Sequence, residues 1–257
     1  MHIDAATALV RTALLPRWPD ARVAIVGGSI ARGEATPTSD IDLLLLFDHV
    51  DRAWRDTLKV AGQTVELFGH DAATFDYFCR AVDAPAGRMP LAGMVIDGVS
   101  VLPENALLRW LRDHAAALYA AGPPALTAEV LARRRYAITT MLEDLTDSTA
   151  PDETLAIAVG LYAELADFTL RAGGAWSGQG RHLARRLRAA APDLAAALAQ
   201  AMGEVASHPE AARRTFDRVV RAALAPHGGL LLEGFRLDAP AAWRSAGIAA
   251  PSVPGTL

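Results

Sequence analysis

Two aspartates stand directly before the most apolar run of the chain. Asp40 and Asp42 flank Ile41 and are followed by an uninterrupted apolar segment at residues 43–47. A short apolar run of this kind predicts a buried strand, although aspartate is depleted in strands. Because side chains at positions i and i+2 of a strand lie on the same face, both carboxylates are expected to point the same way. The chain must therefore fold so that two like charges are tolerated at the edge of its core.

A glycine turn precedes these aspartates. Residues 23–26 predict a first strand that ends at Gly27 and Gly28, and Ser29 can cap a short helix that reaches Arg32. Glycine allows the backbone to approach a ligand closely, and free N–H groups at a helix start favour an anion. Magnesium binds carboxylates together with water and substrate phosphates. The turn and the aspartates together predict a site for a nucleoside triphosphate and one or two Mg²⁺ ions.

A third carboxylate, Glu66, interrupts an otherwise apolar predicted strand at residues 63–69. A charge in such a strand is costly unless it meets a cation or a partner. Glu66 is therefore a candidate third member of the metal site. Two alternatives stay open: Glu66 on a solvent-facing strand edge, and a capped glycine turn beside a surface aspartate pair.

The strand pattern ends near Pro103. Helices and strands alternate before it, whereas only helical patterns follow, at 104–121, 126–147, 153–172, 180–201 and 207–224. The predicted fold class is α+β, with a small mixed-sheet domain at residues 1–103 followed by an all-α helical bundle domain at 104–257.

Composition narrows the function further. The chain has 257 residues, of which 52% are hydrophobic and 21% charged, so a large core can form. A net charge of −4 disfavours a nucleic-acid or anionic-membrane partner. A single cysteine, Cys79, is typical of a reducing compartment. The first residues do not resemble a signal peptide, and no apolar run approaches the ~18 residues of a membrane helix. We expect a cytoplasmic protein with no membrane partner.

The string from Val26 to Leu43 resembles the signature of the nucleotidyltransferase superfamily related to DNA polymerase β. That signature is a hydrophobic residue, Gly-Gly or Gly-Ser, a short spacer, and then Asp-hydrophobic-Asp-hydrophobic. The motif Ser-Asp-Ile-Asp-Leu at residues 39–43 looks most like that of the bacterial branch with aminoglycoside adenylyltransferases and small antitoxin-type members. The family uses a third carboxylate on a later strand, which Glu66 matches.

The resemblance implies an adenylyltransferase-like enzyme that needs Mg²⁺. It would move a nucleoside monophosphate to a hydroxyl of a small molecule, with ATP, the donor of AMP, or another NTP as substrate. Aminoglycoside-like antibiotics are one class of possible acceptor. The implied catalytic and metal-binding residues are Asp40, Asp42 and Glu66. The implied nucleotide-binding residues are Gly28, Ser29, Arg32 and Arg181. Arg181 is included because residues 161–183 look similar to the C-terminal helices of aminoglycoside adenylyltransferases, where a lysine holds phosphate, and this region has no lysine.

The acceptor is the least determined part of this interpretation. A cationic acceptor would need acidic groups, and the predicted helical domain offers Glu143, Asp144, Glu164 and Asp167, which could equally form a solvated helix face. Two other functions stay open: nucleotidylation of a protein or a tRNA, and a catalytically silent nucleotide-binding module.

Overall fold

The computed structural model describes residues 1–243 of the chain. The strands are β1 (Val23–Val26), β2 (Ile41–Leu46), β3 (Trp54–Val60), β4 (Gln63–His70) and β5 (Val99–Ser100). The first five α-helices are α1 (Ile3–Leu9), α2 (Gly28–Ala31), α3 (Ala72–Tyr77), α4 (Pro90–Asp97) and α5 (Ala106–Ala120). The remaining α-helices are α6 (Ala128–Asp147), α7 (Pro151–Ala172), α8 (Arg181–Ala190), α9 (Pro192–Glu204) and α10 (Pro209–Leu224). Two π-helical segments, Val10–Leu14 and Phe78–Asp83, extend α1 and α3.

The strands form one mixed sheet in the order β3-β4-β2-β1-β5. β2 and β4 run parallel, and every other neighbouring pair in this sheet is antiparallel. In the parallel pair Asp42 lies opposite Glu66, so two of the predicted site residues are cross-strand neighbours. The predicted fold class is confirmed: a mixed-sheet region is followed by helices.

Apolar layers cover both faces of the sheet. On one face, alternate residues of β1, β2 and β4 pack with the helix formed by α1 and its π-helical extension, through Ala6, Val10 and Leu14. On the other face, the intervening residues of β1 and β2 pack with side chains of α3, α4 and α5. Because both faces are covered, β2 is apolar throughout except at Asp42.

The structure adds elements that the sequence did not predict, namely β3, β5 and α4, and it divides one predicted helix. The single helix predicted at 180–201 is wrong, because α8 ends at Ala190 and α9 begins at Pro192. Ala191, with φ −143° and ψ 71°, separates the two helices. Proline lacks the N–H that an uninterrupted helix would need and disfavours helical backbone at the residue before it.

The described residues form two compact units. One contains residues 1–126 and 163–199, and the other contains 127–162 and the described residues from 200 onward. These units do not coincide with the predicted domains, because the segments 104–126 and 163–199 share a unit with the sheet. The division into a nucleotidyltransferase domain at 1–103 and an acceptor-binding domain at 104–257 stays a prediction, and residues 244–257 lie outside the described part of the chain.

The second unit is held together in part by one arginine. Nε of Arg135 donates to the carbonyl of Gly229 at 2.7 Å, and its Nη2 donates to that of Gly228 at 2.6 Å. The adjacent Tyr136 stacks on Phe235 with ring centroids 4.2 Å apart.

Across residues 1–243, no helix has both the length and the apolar character that a bilayer crossing requires.

Gly69 provides a test of how tightly β3 and β4 pack. Trp54 lies opposite it, and a Cβ added at Gly69 would overlap the indole ring. Gly69→Ala should therefore lower the free energy of unfolding by about 1–3 kcal/mol, as measured by chemical denaturation. Gly160→Ala in α7 is the control, because its added methyl meets nothing within 4 Å and should stabilise the helix by up to about 1 kcal/mol. An equal change in both variants would contradict the expected clash.

Candidate active site

The glycine turn after β1 is fitted closely to β2. The backbone N–H of Gly27 donates to the carbonyl of Asp42 at 2.9 Å. Gly28 has φ +66°, and a Cβ at this position would overlap the Asp42 carboxylate. Glycine is therefore required at position 28 both for its backbone conformation and for the space beside Asp42.

Ser29 and the loop that follows it are joined by hydrogen bonds. Ser29 is buried, and its Oγ donates to Oγ of Ser39 at 3.2 Å. Ser39 Oγ also accepts from the backbone N–H of Thr36 at 2.9 Å, while the carbonyl of Ser29 accepts from the N–H of Glu34 at 2.8 Å. These bonds hold the loop between α2 and β2 in one conformation and thereby position Asp40.

The structure brings the three predicted carboxylates together. Asp40, Asp42 and Glu66 are each half-buried and offer oxygen atoms that all lie within 4.8 Å of one another. Carboxylate oxygens are the ligands that hard divalent cations such as Mg²⁺ prefer. The donor set and its spacing fit such a cation.

Asp42 is electrostatically the most perturbed of the three. Burial, together with the neighbouring charges of Asp40 and Glu66, raises its pKa to about 6, against the opposing effect of Arg32 and Arg55. A carboxyl in this position is destabilised when ionised. A bound cation would offset both causes of the shift.

Glu66 has a basic partner that sequence reasoning missed. Nη2 of Arg55 donates to Oε2 of Glu66 at 2.7 Å. The guanidinium also lies 5.1 Å from the centre of the Phe68 ring. Arg55 belongs to β3, whose mostly exposed and polar residues gave no strand signal, so no feature of the sequence connected it with Glu66.

The two predicted phosphate-binding arginines differ in their surroundings. Arg32 is paired with two acids, through Nε to Glu34 at 3.3 Å and through Nη1 to Asp97 at 3.4 Å. Arg181 is exposed at the first residue of α8 and forms no hydrogen bond or ion pair with another residue in the described range. Arg181 is therefore available to an incoming anion without breaking an internal ion pair.

A cavity of about 710 Å³ adjoins the carboxylates and lies within the first compact unit. Its wall includes five of the predicted site residues: Gly28, Ser29, Arg32, Asp42 and Arg181. Asp42 thus connects the carboxylate triad, Asp40, Asp42 and Glu66, to the cavity. Sequence motifs that are far apart in the chain, at residues 28–42 and 181, meet around one space.

The acidic residues suggested for a cationic acceptor lie elsewhere. Glu143 and Asp144 belong to the second compact unit, and Glu164 and Asp167 belong to the first. Within the described chain, none of these four lies on the wall of the cavity. Other cavity residues were not predicted as site residues, among them His70, Asp83 and Ser177. Asp83 stands in a stretch with turn-like composition, and nothing in the sequence connects it with Ser177.

The match to one protein family agrees with this geometry. Residues 8–77 match the family described as a nucleotidyltransferase domain, and this stretch contains the glycine turn and the carboxylate triad. Among solved structures, the chain is similar to a nucleotidyltransferase-like protein from Exiguobacterium sibiricum, with 12% identity and a TM-score of 0.45 over 86% of this chain and 77% of that chain. No curated protein sequence matches the chain significantly.

Replacing Asp42 should stabilise the metal-free protein. A carboxyl whose pKa is raised from 3.8 to about 6 by folding costs stability once it ionises. Asp42→Asn should therefore increase the free energy of unfolding in EDTA at pH 8 by about 1–3 kcal/mol, and by less near pH 4.5. Chemical denaturation at both pH values measures the effect. Asp113→Asn, at an exposed position of α5, is the control and should change little; a less stable Asp42→Asn protein at pH 8 would contradict the argument.

Proposed function

We propose that the chain is a Mg²⁺-dependent adenylyltransferase-like enzyme, because residues 8–77 match the nucleotidyltransferase domain family and contain the motif that resembles the DNA polymerase β-like superfamily. It moves a nucleoside monophosphate, AMP from ATP, to a hydroxyl of a small molecule. The observation that carries this proposal is the cluster of carboxylate oxygens within 4.8 Å, beside a turn where only glycine fits.

The carboxylate triad would hold the metal. A divalent cation bound there supplies positive charge that neutralises the triphosphate and the charge that develops during transfer. The three carboxylates also place negative charge around the position that the cation would occupy. This assignment gives the raised pKa of Asp42 a function, because the burial and the repulsion that raise it both favour a bound cation.

Glu66 is placed to take the proton of the attacking hydroxyl. The acceptor oxygen forms a bond to the α-phosphorus, the bond from that phosphorus to the bridging oxygen of pyrophosphate breaks, and the proton passes to the Glu66 carboxylate. Arg55 orients this carboxylate through the 2.7 Å hydrogen bond to Oε2. Catalysis of this kind depends mainly on positioning and charge neutralisation.

The outer phosphates of the triphosphate are assigned to the glycine turn and to two arginines. Gly28 and Ser29 both line the cavity in which a triphosphate would lie. Arg181 adds a positive charge without an internal acidic partner, and Arg32 contributes a second charge that it shares with Glu34 and Asp97. Arginine is well suited to phosphate oxygens because its donors are fixed in a plane.

The size of the cavity suits small-molecule substrates. Small-molecule sites typically enclose about 300–1,000 Å³, and the volume here is about 710 Å³. We assign the acceptor to hydroxyl-bearing small molecules, with aminoglycoside-like antibiotics as one class to be tested, and the site of action to the cytoplasm. Mass spectrometry after incubation with Mg²⁺, each NTP and a pool of such compounds would identify the product; a mass increase on a protein or a tRNA instead would overturn the small-molecule assignment.

Nucleotide binding should require both a divalent cation and the aspartates. ATP should raise the unfolding temperature of the protein in the presence of Mg²⁺ and not in EDTA, and Asp40→Asn combined with Asp42→Asn should abolish the shift. A metal-independent shift that survives the double substitution would rule out the metal site.

Glu66→Gln keeps the shape of the side chain but removes the proton acceptor, so turnover should fall by about 10²–10⁴-fold. Near-full turnover in Glu66→Gln would rule out the role of Glu66 as a base.

Arg181 should matter for nucleotide affinity more than for the chemical step. Arg181→Ala should raise the KM for ATP by about tenfold or more, because a charged hydrogen bond to phosphate is lost, while kcat changes little. Steady-state kinetics with ATP as the varied substrate measures the effect. Arg188→Ala, at an exposed position of the same helix, is the matched control. Equal KM values in the two variants would remove Arg181 from the phosphate site.

A further inference from the structure

Three polar atoms on residues that line the cavity have no hydrogen-bond partner within the described chain. They are Nδ1 of His70, Oδ2 of Asp83 and Oγ of Ser177, and each atom is buried. His70 is only 3% exposed and Ser177 only 2%. A buried polar atom without a partner costs free energy, so three such atoms on residues around one cavity indicate a ligand that supplies the missing bonds.

The fold holds these groups in place. Ser177 is fixed by its backbone N–H, which donates to the carbonyl of Gly87 at 2.7 Å, and the preceding Trp176 donates from Nε1 to the carbonyl of Tyr119 at 2.7 Å. His70 is the last residue of β4, and its ring meets that of Phe78 edge-on with centroids 5.2 Å apart. Polar groups fixed in this way are preorganised for one ligand geometry.

Their protonation states define what the ligand must offer. Burial lowers the pKa of His70, which keeps its imidazole neutral at pH 7, with one nitrogen as donor and one as acceptor. Burial raises the pKa of Asp83 to about 6, against the backbone hydrogen bond from Leu91 and the charge of Arg88, so the carboxylate is anionic above that pH. An anionic carboxylate only accepts hydrogen bonds. The ligand must therefore present an N–H or O–H group to Asp83.

The walls around these groups are apolar and partly aromatic. Phe78, Met89, Leu91 and Tyr119 line the same cavity. Aromatic and apolar walls with a few fixed polar groups suit a flat ring that has hydrogen-bonding atoms on its edge. A nucleobase has this chemistry.

The position of the cavity favours the donor nucleotide over the acceptor. The proposed phosphate site at Gly28, Ser29 and Arg181 lies on the wall of this same cavity, so a bound triphosphate has its nucleoside within reach of the enclosed groups. Glu66, which would take the proton of the acceptor hydroxyl, is paired with Arg55. The Arg55 side chain is 61% exposed and belongs to an edge strand. Arg55 also lines the cavity, so an acceptor can approach Glu66 from solvent past this exposed side chain.

We propose that His70, Asp83 and Ser177 form the subsite for the base of the donor nucleotide and select bases with an exocyclic amino group over uracil. This inference rests on the proposed nucleotidyl transfer and specifies how that site chooses its donor. The amino groups of adenine, cytosine and guanine can donate to Asp83. The one donor on the base-pairing edge of uracil, N3–H, lies between two carbonyl oxygens that repel a carboxylate. Ser177 and His70 complete the hydrogen bonds of the base edge.

Calorimetry with Mg²⁺ and the α,β-methylene analogues of ATP, CTP, GTP and UTP tests this subsite, with inorganic tripolyphosphate as a probe of the phosphate site alone. The wild type should bind at least one amino-bearing analogue about tenfold or more tightly than the UTP analogue. Asp83→Asn should lose that preference, and Ser177→Ala should bind the preferred analogue several-fold more weakly than the wild type does. Both variants should bind tripolyphosphate as the wild type does, and the control Asp113→Asn should behave as the wild type throughout.

Three results would overturn the inference. One is an unchanged base preference in both Asp83→Asn and Ser177→Ala. Another is an equal loss of nucleotide and tripolyphosphate binding in both variants, which would show that these residues act through the fold of the phosphate site. The third is a change in acceptor KM with no change in base preference, which would assign the subsite to the acceptor. Failure of the wild type to bind any analogue or tripolyphosphate with Mg²⁺ would instead overturn the proposed function itself.

Discussion

The parallel pairing of β2 with β4 is the constraint on which the site depends. Its register makes Asp42 and Glu66 direct neighbours, and the buried segment Leu43–Leu46 fixes it. In β2, Leu43 and Leu45 pack on the α1 side of the sheet, while Leu44 and Leu46 pack on the opposite side. A slip of one residue would exchange these faces and carry Asp42 into the apolar layer beneath α1. The same packing that stabilises the sheet therefore determines the geometry of the carboxylates.

This arrangement has a cost that the rest of the fold offsets. Three carboxylates lie close together, and burial together with their mutual repulsion raises the pKa of Asp42. The glycine turn cannot relieve the crowding, because Gly28 already leaves the minimum space beside Asp42. Local arrangements that oppose stability and are held by a well-packed surrounding are typical of functional sites. The layered core on both faces of the sheet supplies that surrounding.

The sequence predicted what is encoded locally. The turn, the two aspartates and Glu66 all carry their signal within a few residues, and each lies where the strand pattern indicated. The signal failed where structure depends on distant partners. β3 exposes most of its side chains, so its residues show no apolar pattern and Arg55 was missed. Asp83 stands in a stretch with turn-like composition, and its partial burial follows from packing against elements that no local pattern identifies.

The cavity wall shows most clearly why a motif predicts a reaction better than a substrate. Ser177 and Arg185 lie far along the chain from the aspartates, yet the N–H of Ser177 bonds to Gly87 and Arg185 pairs with Glu34 at 2.7 Å. These contacts tie the segment that begins at residue 176 to the sheet region, within one compact unit. Such long-range contacts depend on tertiary packing, for which a short motif contains no information. The groups assigned to chemistry thus come from adjacent strands, while those assigned to recognition are assembled across the chain, so similar carboxylate motifs can serve cavities of different specificity.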